Sequence, residues 1–285
     1  MEVSKILAEY DAMLAAGRRR EAGEFLSEAA DAAAREDDAV SEASLRGELT
    51  GYWRVFGEPE KSFASAERAL FLLESLGLAE SGEYATALLN YATAKTAFRM
   101  TDEALALYAR VAEIYEKTAE PDGYRFASLY NNMAQALMRA GRAAEAYGYF
   151  ERSLALLSPA DDAVEIATCS TNMAFCMLAM KNIDEAERLL ARAEEIYSSL
   201  PDDPHAASAL SCRGQLEYMR GEFSRAAEYF AKSAAAVERF FGRTANYAAA
   251  CRSCAKCLEA AGEPDEAAKY RALADSAGGA ARGAR

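Results

Sequence analysis

The chain has 285 residues, 52% of them hydrophobic, with 32 Lys and Arg against 45 Asp and Glu and a net charge of −13. Alanine, Leu and Glu are abundant while Val and Ile are scarce, a balance that favours helices and disfavours strands. The negative field opposes phosphate backbones and anionic lipid surfaces, so neither nucleic acid nor a membrane is an expected partner.

Taken in chain order, seven short segments repeat one pattern: Gly17 to Ala22, Gly57 to Ser62, Arg99 to Ala104, Gly141 to Ala146, Lys181 to Ala186, Gly221 to Ala226 and Gly262 to Ala267, spaced 40 to 42 residues apart. Breaker segments near 36–38, 77–82, 119–123, 158–162, 198–204 and 241–244 separate the copies. The spacing predicts seven repeats, about 3–36, 38–77, 82–119, 123–158, 162–200, 203–241 and 243–275, each two helices joined by a tight turn. The first copy fits poorly on its first helix. The second and seventh carry Pro59 and Pro264 in one slot, GEPE and GEPD, where Pro suits a first helical turn. The third and fifth have Arg99 and Lys181 in place of the turn glycine, and Lys95 and Glu217 stand where an aromatic or Leu is expected. In the last copy Arg271 replaces an aromatic and, with Lys269, suggests a polar cap. Residues 276–285, rich in Gly, Ala and Arg, are expected to be disordered.

Side-chain size says how the helices pack. Ala22, Ser62, Ala104, Ala146, Ala186, Ala226 and Ala267 form a small column on the second helices, facing Thr50, Ala92, Ala134, Ala174, Gly214 and Ala255 on the first helices. Small residues at such a contact let two helices approach to about 8–10 Å. A third column, Ala29, Ala69, Val111, Ser153, Ala193, Ser233 and Ala274, suits packing on the next copy.

A small residue, a Gly seven later, then Glu-Ala, an aromatic or Leu and Ala-Leu beyond: this order resembles the tetratricopeptide repeat and covers residues 1 to 275. The long period, and segments such as LYNNMAQALMRAGRAAEAYGYFERSLALL (129–157), resemble the kinesin light chain variant and bacterial repeat proteins of unassigned function. The resemblance implies an all-α fold, a right-handed α-solenoid of seven helix-turn-helix repeats forming one superhelical domain, with a concave groove lined by the first helices. It also implies a groove asparagine ladder that holds a linear peptide.

In the first helices, a set of positions opposite the core columns points toward such a groove. One column runs Asn90, Asn132, Asn172, Cys212, Ser253. Its neighbours are Leu89, Asn131, Thr171, Ser211, Arg252 and Thr93, Gln135, Phe175, Gln215, Lys256, with Arg54, Met138, Arg139, Tyr218 and Met219 beyond. An Asn amide both donates and accepts, the complement of a peptide unit. Asn90, Asn132 and Asn172 are therefore candidates to grip a peptide backbone across the third to sixth copies, unless they only hold neighbouring helices in register. Phe175, Tyr218 and Met138 are candidate apolar anchors. Arg54, Arg139, Arg252 and Lys256 are candidate partners of acidic side chains or a carboxyl terminus.

No phosphate loop, nucleophile elbow or helical histidine base is present in the sequence, so an enzyme is not expected, and neither is a cofactor. Cys251, Cys254 and Cys257 have a C-x-x-C-x-x-C spacing, but they fall on one helix with the single histidine, His205, elsewhere. Buried small residues are expected there rather than a metal site. Cys212 is the one candidate reactive thiol. Six cysteines behind an acidic, non-secretory start suggest a reducing, cytoplasmic setting. Two functions fit: a peptide-binding protein-interaction adaptor, or a peptide-responsive regulator like pheromone receptors. Repeats beginning near residue 3 favour the adaptor. A structural assembly piece is the third.

Overall fold

A computed structural model of the chain describes residues 2–117, 123–158, 162–200 and 203–282. Among these residues fourteen α-helices follow one another: α1 Val3–Ala15, α2 Arg19–Arg35, α3 Ala39–Val55, α4 Pro59–Ser75, α5 Gly82–Ala97, α6 Thr101–Lys117, α7 Gly123–Arg139, α8 Ala143–Ala155, α9 Ala163–Ala179, α10 Ile183–Ser198, α11 Ala206–Met219, α12 Phe223–Phe241, α13 Ala245–Ala260 and α14 Pro264–Arg282. There is no strand among the described residues. The odd-numbered helices are the first helices of the seven expected copies, and the even-numbered ones the second.

Each first helix ends at the turn that the sequence pattern marks. Gly141 takes φ +76°, and the N–H of Arg142 donates to the Leu137 carbonyl at 2.9 Å, satisfying an acceptor the helix leaves over. The corresponding bond recurs from Met100 to Lys95 and from Asn182 to Met177, both 2.9 Å. Arg99 and Lys181, which stand in the glycine slot of those two turns, are held at φ +63° and +61°. The left-handed turn is thus kept where the side chain disfavours it. Side-chain oxygens of Asp38, Ser81, Asn182 and Thr244 accept from backbone N–H groups at the starts of α3, α5, α10 and α13.

The chain divides into two compact units, Met1–Arg142 and Ala143–Arg285, where the sequence suggests one array. In the first, α1 to α6 pack as three successive pairs and α7 lies against α5 and α6. In the second, α8 packs on α9, followed by the pairs α9 with α10, α11 with α12 and α13 with α14. The small column of the second helices is buried at all seven positions. Ser62 uses its place in that column to donate from Oγ to the Thr50 carbonyl at 2.8 Å. The third column holds from Ala69 onward, but in the first copy Ala30 is buried and Ala29 only half-buried. Ala22, Leu26 and Ala33 keep the register of the other copies, so the difference is local to Ala29 and Ala30. On the same helix Gly23 admits a close neighbour: a Cβ at that position would meet the Tyr52 ring at 2.2 Å, and Tyr52 donates from its hydroxyl to the Arg19 carbonyl at 3.1 Å.

Charged residues at core positions are paired. Lys95 is buried with Nζ 2.8 Å from Glu103 Oε2 and 4.1 Å from the centre of the Phe63 ring. Glu42, also buried, accepts from Arg68 at 2.8 and 3.0 Å, and the Arg68 guanidinium holds its carboxyl below the usual range. In the second unit Arg213 donates to Glu194 at 2.9 Å and to Glu187 at 2.6 Å. Glu217 lies beneath it, with Oε1 3.9 Å from Arg213 and Arg220 and Oε2 3.6 Å from Arg225. Lys95 and Glu217, which stand where an aromatic or Leu is expected, thus meet opposite charges on the second helix of their own pair, Glu103 and Arg225.

At the carboxyl end, where the sequence suggests disorder over 276–285, α14 runs on to Arg282. Extending an existing helix adds one hydrogen bond per residue without a new nucleus, and the alanines around Gly278 and Gly279 favour it. Residues 283–285 lie outside the described residues, as do parts of the breaker segments near 119–123, 158–162 and 198–204.

Candidate functional site

In the first unit, the faces of α3 and α5 that lie away from the small-residue contacts bound a cleft of about 460 Å³. Val40, Ala43, Leu73, Leu78 and Ala87 give it an apolar lining, and Ser44, Glu48, Glu83, Thr86 and Asn90 supply polar groups. Asn90 of the ladder is thus placed in this cleft. Asn131 and Asn132 on α7 are half-buried, Met138 is half-buried, and Gln135 and Arg139 are exposed. Among the described residues the side chains of Asn90 and Asn132 make no hydrogen bond, while Asn131 and Met138 each have an interaction within the protein.

The second unit holds a comparable cleft of about 480 Å³ between α9, α11, α12 and α13. Phe175 from α9, Ser211 and Gln215 from α11 and Ser253 from α13 all line it. Phe230, Val237 and Phe241 from α12 form an apolar wall, and Asn246 and His205 stand at the rim of the lining. Ser211 and Ser233 hydroxyls are 2.7 Å apart, and Ser233 donates to the Ala207 carbonyl at 2.8 Å, so one wall is fixed by its own bonds. The His205 ring nitrogen lies 2.9 Å from Asp203 Oδ1. Asn172, one turn before Phe175, is half-buried and has an interaction within the protein.

Several expected groove residues sit elsewhere. Thr171 is buried and donates to the Ala167 carbonyl of its own helix at 2.8 Å, which removes it from any surface. Thr93 donates to the Leu89 carbonyl at 2.8 Å and lies 3.4 Å from the Tyr108 hydroxyl, a partner on the second helix of its own pair. Tyr218 packs at a tilt against Phe223 with ring centres 5.4 Å apart, and Lys256 places Nζ 4.7 Å from the Tyr218 ring, so anchor and base engage each other. Cys212 is fully buried against the Thr171 carbonyl at 3.9 Å, and burial pushes its thiol far up. The reading of Cys212 as a reactive groove thiol is therefore corrected: the thiolate is the nucleophile, and this site disfavours it.

The other cysteines are also buried, and none of the six forms a disulfide. Cys251 belongs to an apolar cluster with Val237, Tyr247 and Ala274, whereas Cys254 and Cys257 pack with Phe230, Leu258 and Ala267. Burial pushes Cys254 up to about 12, and its thiol donates to the Ala227 carbonyl at 3.4 Å. No group of three or more His, Cys, Asp or Glu side chains is arranged to hold a metal among the described residues. No helix among them is long and apolar enough to cross a membrane.

Glu48, Asn246 and Ser208 line the clefts but are missing from the sequence-derived groove set. The signal was present. Glu48 precedes Asn90 by one 42-residue period, and Asn246 precedes Ser253 by two helical turns.

Helix pairs closed by small-residue contacts, with first-helix faces lining open clefts, define a helical-repeat protein of the interaction-scaffold class. Residues 125–199 match the tetratricopeptide repeat family model. Over 133 residues the chain is 25% identical to Protein KINESIN LIGHT CHAIN-RELATED 2 of Arabidopsis thaliana, covering 45% of this chain and 20% of that protein. A tetratricopeptide repeat protein from Parabacteroides merdae superposes with a TM-score of 0.66 at 20% identity, over 97% of this chain and 93% of that one. A Rap protein complexed with Competence and Sporulation Factor superposes with a TM-score of 0.70 at 15% identity, over 97% of this chain and 75% of that one. Residues 125–199 thus match tetratricopeptide repeats, and the chain is similar to a kinesin light chain-related protein. It spans about a fifth of the Arabidopsis protein's length.

Proposed function

We propose that this protein is a non-catalytic adaptor that binds an extended peptide segment, and that the second unit holds it in the cleft of α9, α11, α12 and α13. The observation that carries the reading is the convergence of positions one repeat apart. Phe175 and Gln215, 40 residues apart in one column, line the same cleft, together with Ser211 and Ser253 from the neighbouring columns. Its volume of about 480 Å³ falls within the usual range of ligand sites. Phe175 and Phe241 offer aromatic surface for an apolar side chain, while Gln215, Asn246 and Ser253 offer donors and acceptors for a backbone. In the first unit Asn90 and Asn132 present amides of the same kind. The solved Rap complex with Competence and Sporulation Factor supports a binding role for this fold. The acidic charge and six cysteines outside any disulfide suit a cytosolic setting in which the partner is a protein.

To test this, a peptide is selected by display against the full chain and its affinity measured for Phe175→Ala and Gln215→Ala. Each is expected to weaken binding by about 1–3 kcal/mol, since a buried partner group is left unsatisfied or an apolar contact is lost. Wild-type affinity in both variants, with unchanged melting temperatures, would overturn the assignment.

A further inference from the structure

The two clefts differ in charge, and the difference points to what the first one takes. Its lining is apolar on one side, through Val40, Ala43, Leu73, Leu78 and Ala87, and bears two carboxylates, Glu48 and Glu83, with no Lys or Arg. Val40 is 63% exposed, a large aliphatic side chain left open to solvent beside this hollow. Glu83 is engaged at the start of α5, where its own backbone N–H and Ser81 hold it below the usual carboxylate range. Glu48 has no such partner. Among the described residues it makes no hydrogen bond and no ion pair. Although the residue is exposed overall, its carboxyl is pushed up, by loss of solvation first and then by Asp11 of α1. Other acids of this unit do meet bases, Glu42 with Arg68 and Glu80 with Lys117.

We infer that the cleft between α3 and α5 is a docking site for a peptide segment in which an aliphatic side chain is followed by Lys or Arg, the aliphatic group seated against Val40, Leu73 and Leu78 and the cation meeting Glu48. Charge complementarity selects this occupant. A cation supplied by a ligand removes the repulsion between Glu48 and Asp11 and gives the carboxylate the charge-assisted partner it lacks. An acidic segment would add a third negative charge to a cleft with no base. A purely aliphatic segment would leave Glu48 facing apolar surface. The net charge of −13 draws a basic partner from further away. Asn90, in the same lining, can bond the backbone of the segment. This inference rests on the reading of the chain as a peptide binder, but it concerns a different cleft and a different selectivity.

The test uses the full chain and three fluorescent nonapeptides of Gly and Ser that carry two central leucines followed by Arg, Gln or Glu. Fluorescence anisotropy is expected to rank them Arg, then Gln, then Glu, with the Arg peptide at least about fivefold tighter than the Gln peptide. Glu48→Gln is expected to abolish that preference while leaving the Gln peptide's affinity unchanged. Ser44→Trp, a change at an exposed cleft residue, is expected to block all three peptides by filling the hollow. Phe175→Ala and Gln215→Ala are expected to leave the ranking intact, so a failure of the second-unit assignment is seen separately. Equal binding of the three peptides, no binding of any, or a preference that survives Glu48→Gln in protein of unchanged melting temperature would each overturn the inference.

Discussion

Arg99 and Lys181 hold left-handed backbone at φ +63° and +61° where the other copies place glycine at the same turn. Both side chains are exposed, so the strain is not compensated by burial. A non-glycine residue in this conformation costs about 1–2 kcal/mol, and part of that is returned when glycine adds freedom to the unfolded chain. Arg99→Gly and Lys181→Gly are therefore expected to raise stability by about 0.5–1 kcal/mol each, measured by chemical denaturation. The two lie in different units and share no partner, so their effects should add. A loss of stability in either variant would show that the exposed side chain makes a contact worth more than the strain. At this scale the sequence was only partly informative. It flagged Lys95 and Glu217 as misfits but could not say which bases or acids would meet them, because Glu103 and Arg225 reach them from the paired second helices.

The helix pair is the unit most legible in the sequence. Close approach of two helices demands small side chains at the crossing, and that demand recurs with the period, so Ala104, Ala146, Ala186 and Ala226 announce the pairing before any coordinates. Ala186, buried in this column, has no room for three more carbons. Ala186→Leu is expected to cost about 1–3 kcal/mol by overpacking, whereas Ala191→Leu on the exposed side of the same helix should stay within about 0.5 kcal/mol. Thermal melts of the two variants side by side decide it, and equal melting temperatures would refute the column. The groove faces were less legible than the core. Counting 100° per residue put Thr171 and Cys212 beside Asn172 and Ser253 on a single face, yet Thr171 and Cys212 are buried against each other. An ideal wheel has no neighbours, and α9 and α11 pack closely enough to enclose residues near the edge of the stripe. Short side chains such as Thr and Cys fit inside that contact, while Phe175 and Gln215 reach past it into the cleft.

For the molecule as a whole, the period of 40 to 42 gave the number and order of helices, but not the division into Met1–Arg142 and Ala143–Arg285, which depends on which helices touch rather than on which residues repeat. Nor could it foretell clefts of different character, since a hollow is set by the gap between helices as well as by their residues. The central claim is that first-helix faces of the second unit take an extended peptide. It is tested most directly by photo-crosslinking: a peptide selected against the full chain is synthesised with a diazirine residue at each position in turn, irradiated with the protein, and its adducts mapped by mass spectrometry. The account predicts adducts on α9, α11 and α13 around Phe175, Gln215 and Ser253, moving from one helix to the next as the diazirine moves along the peptide. Adducts confined to α10 and α14 would contradict it.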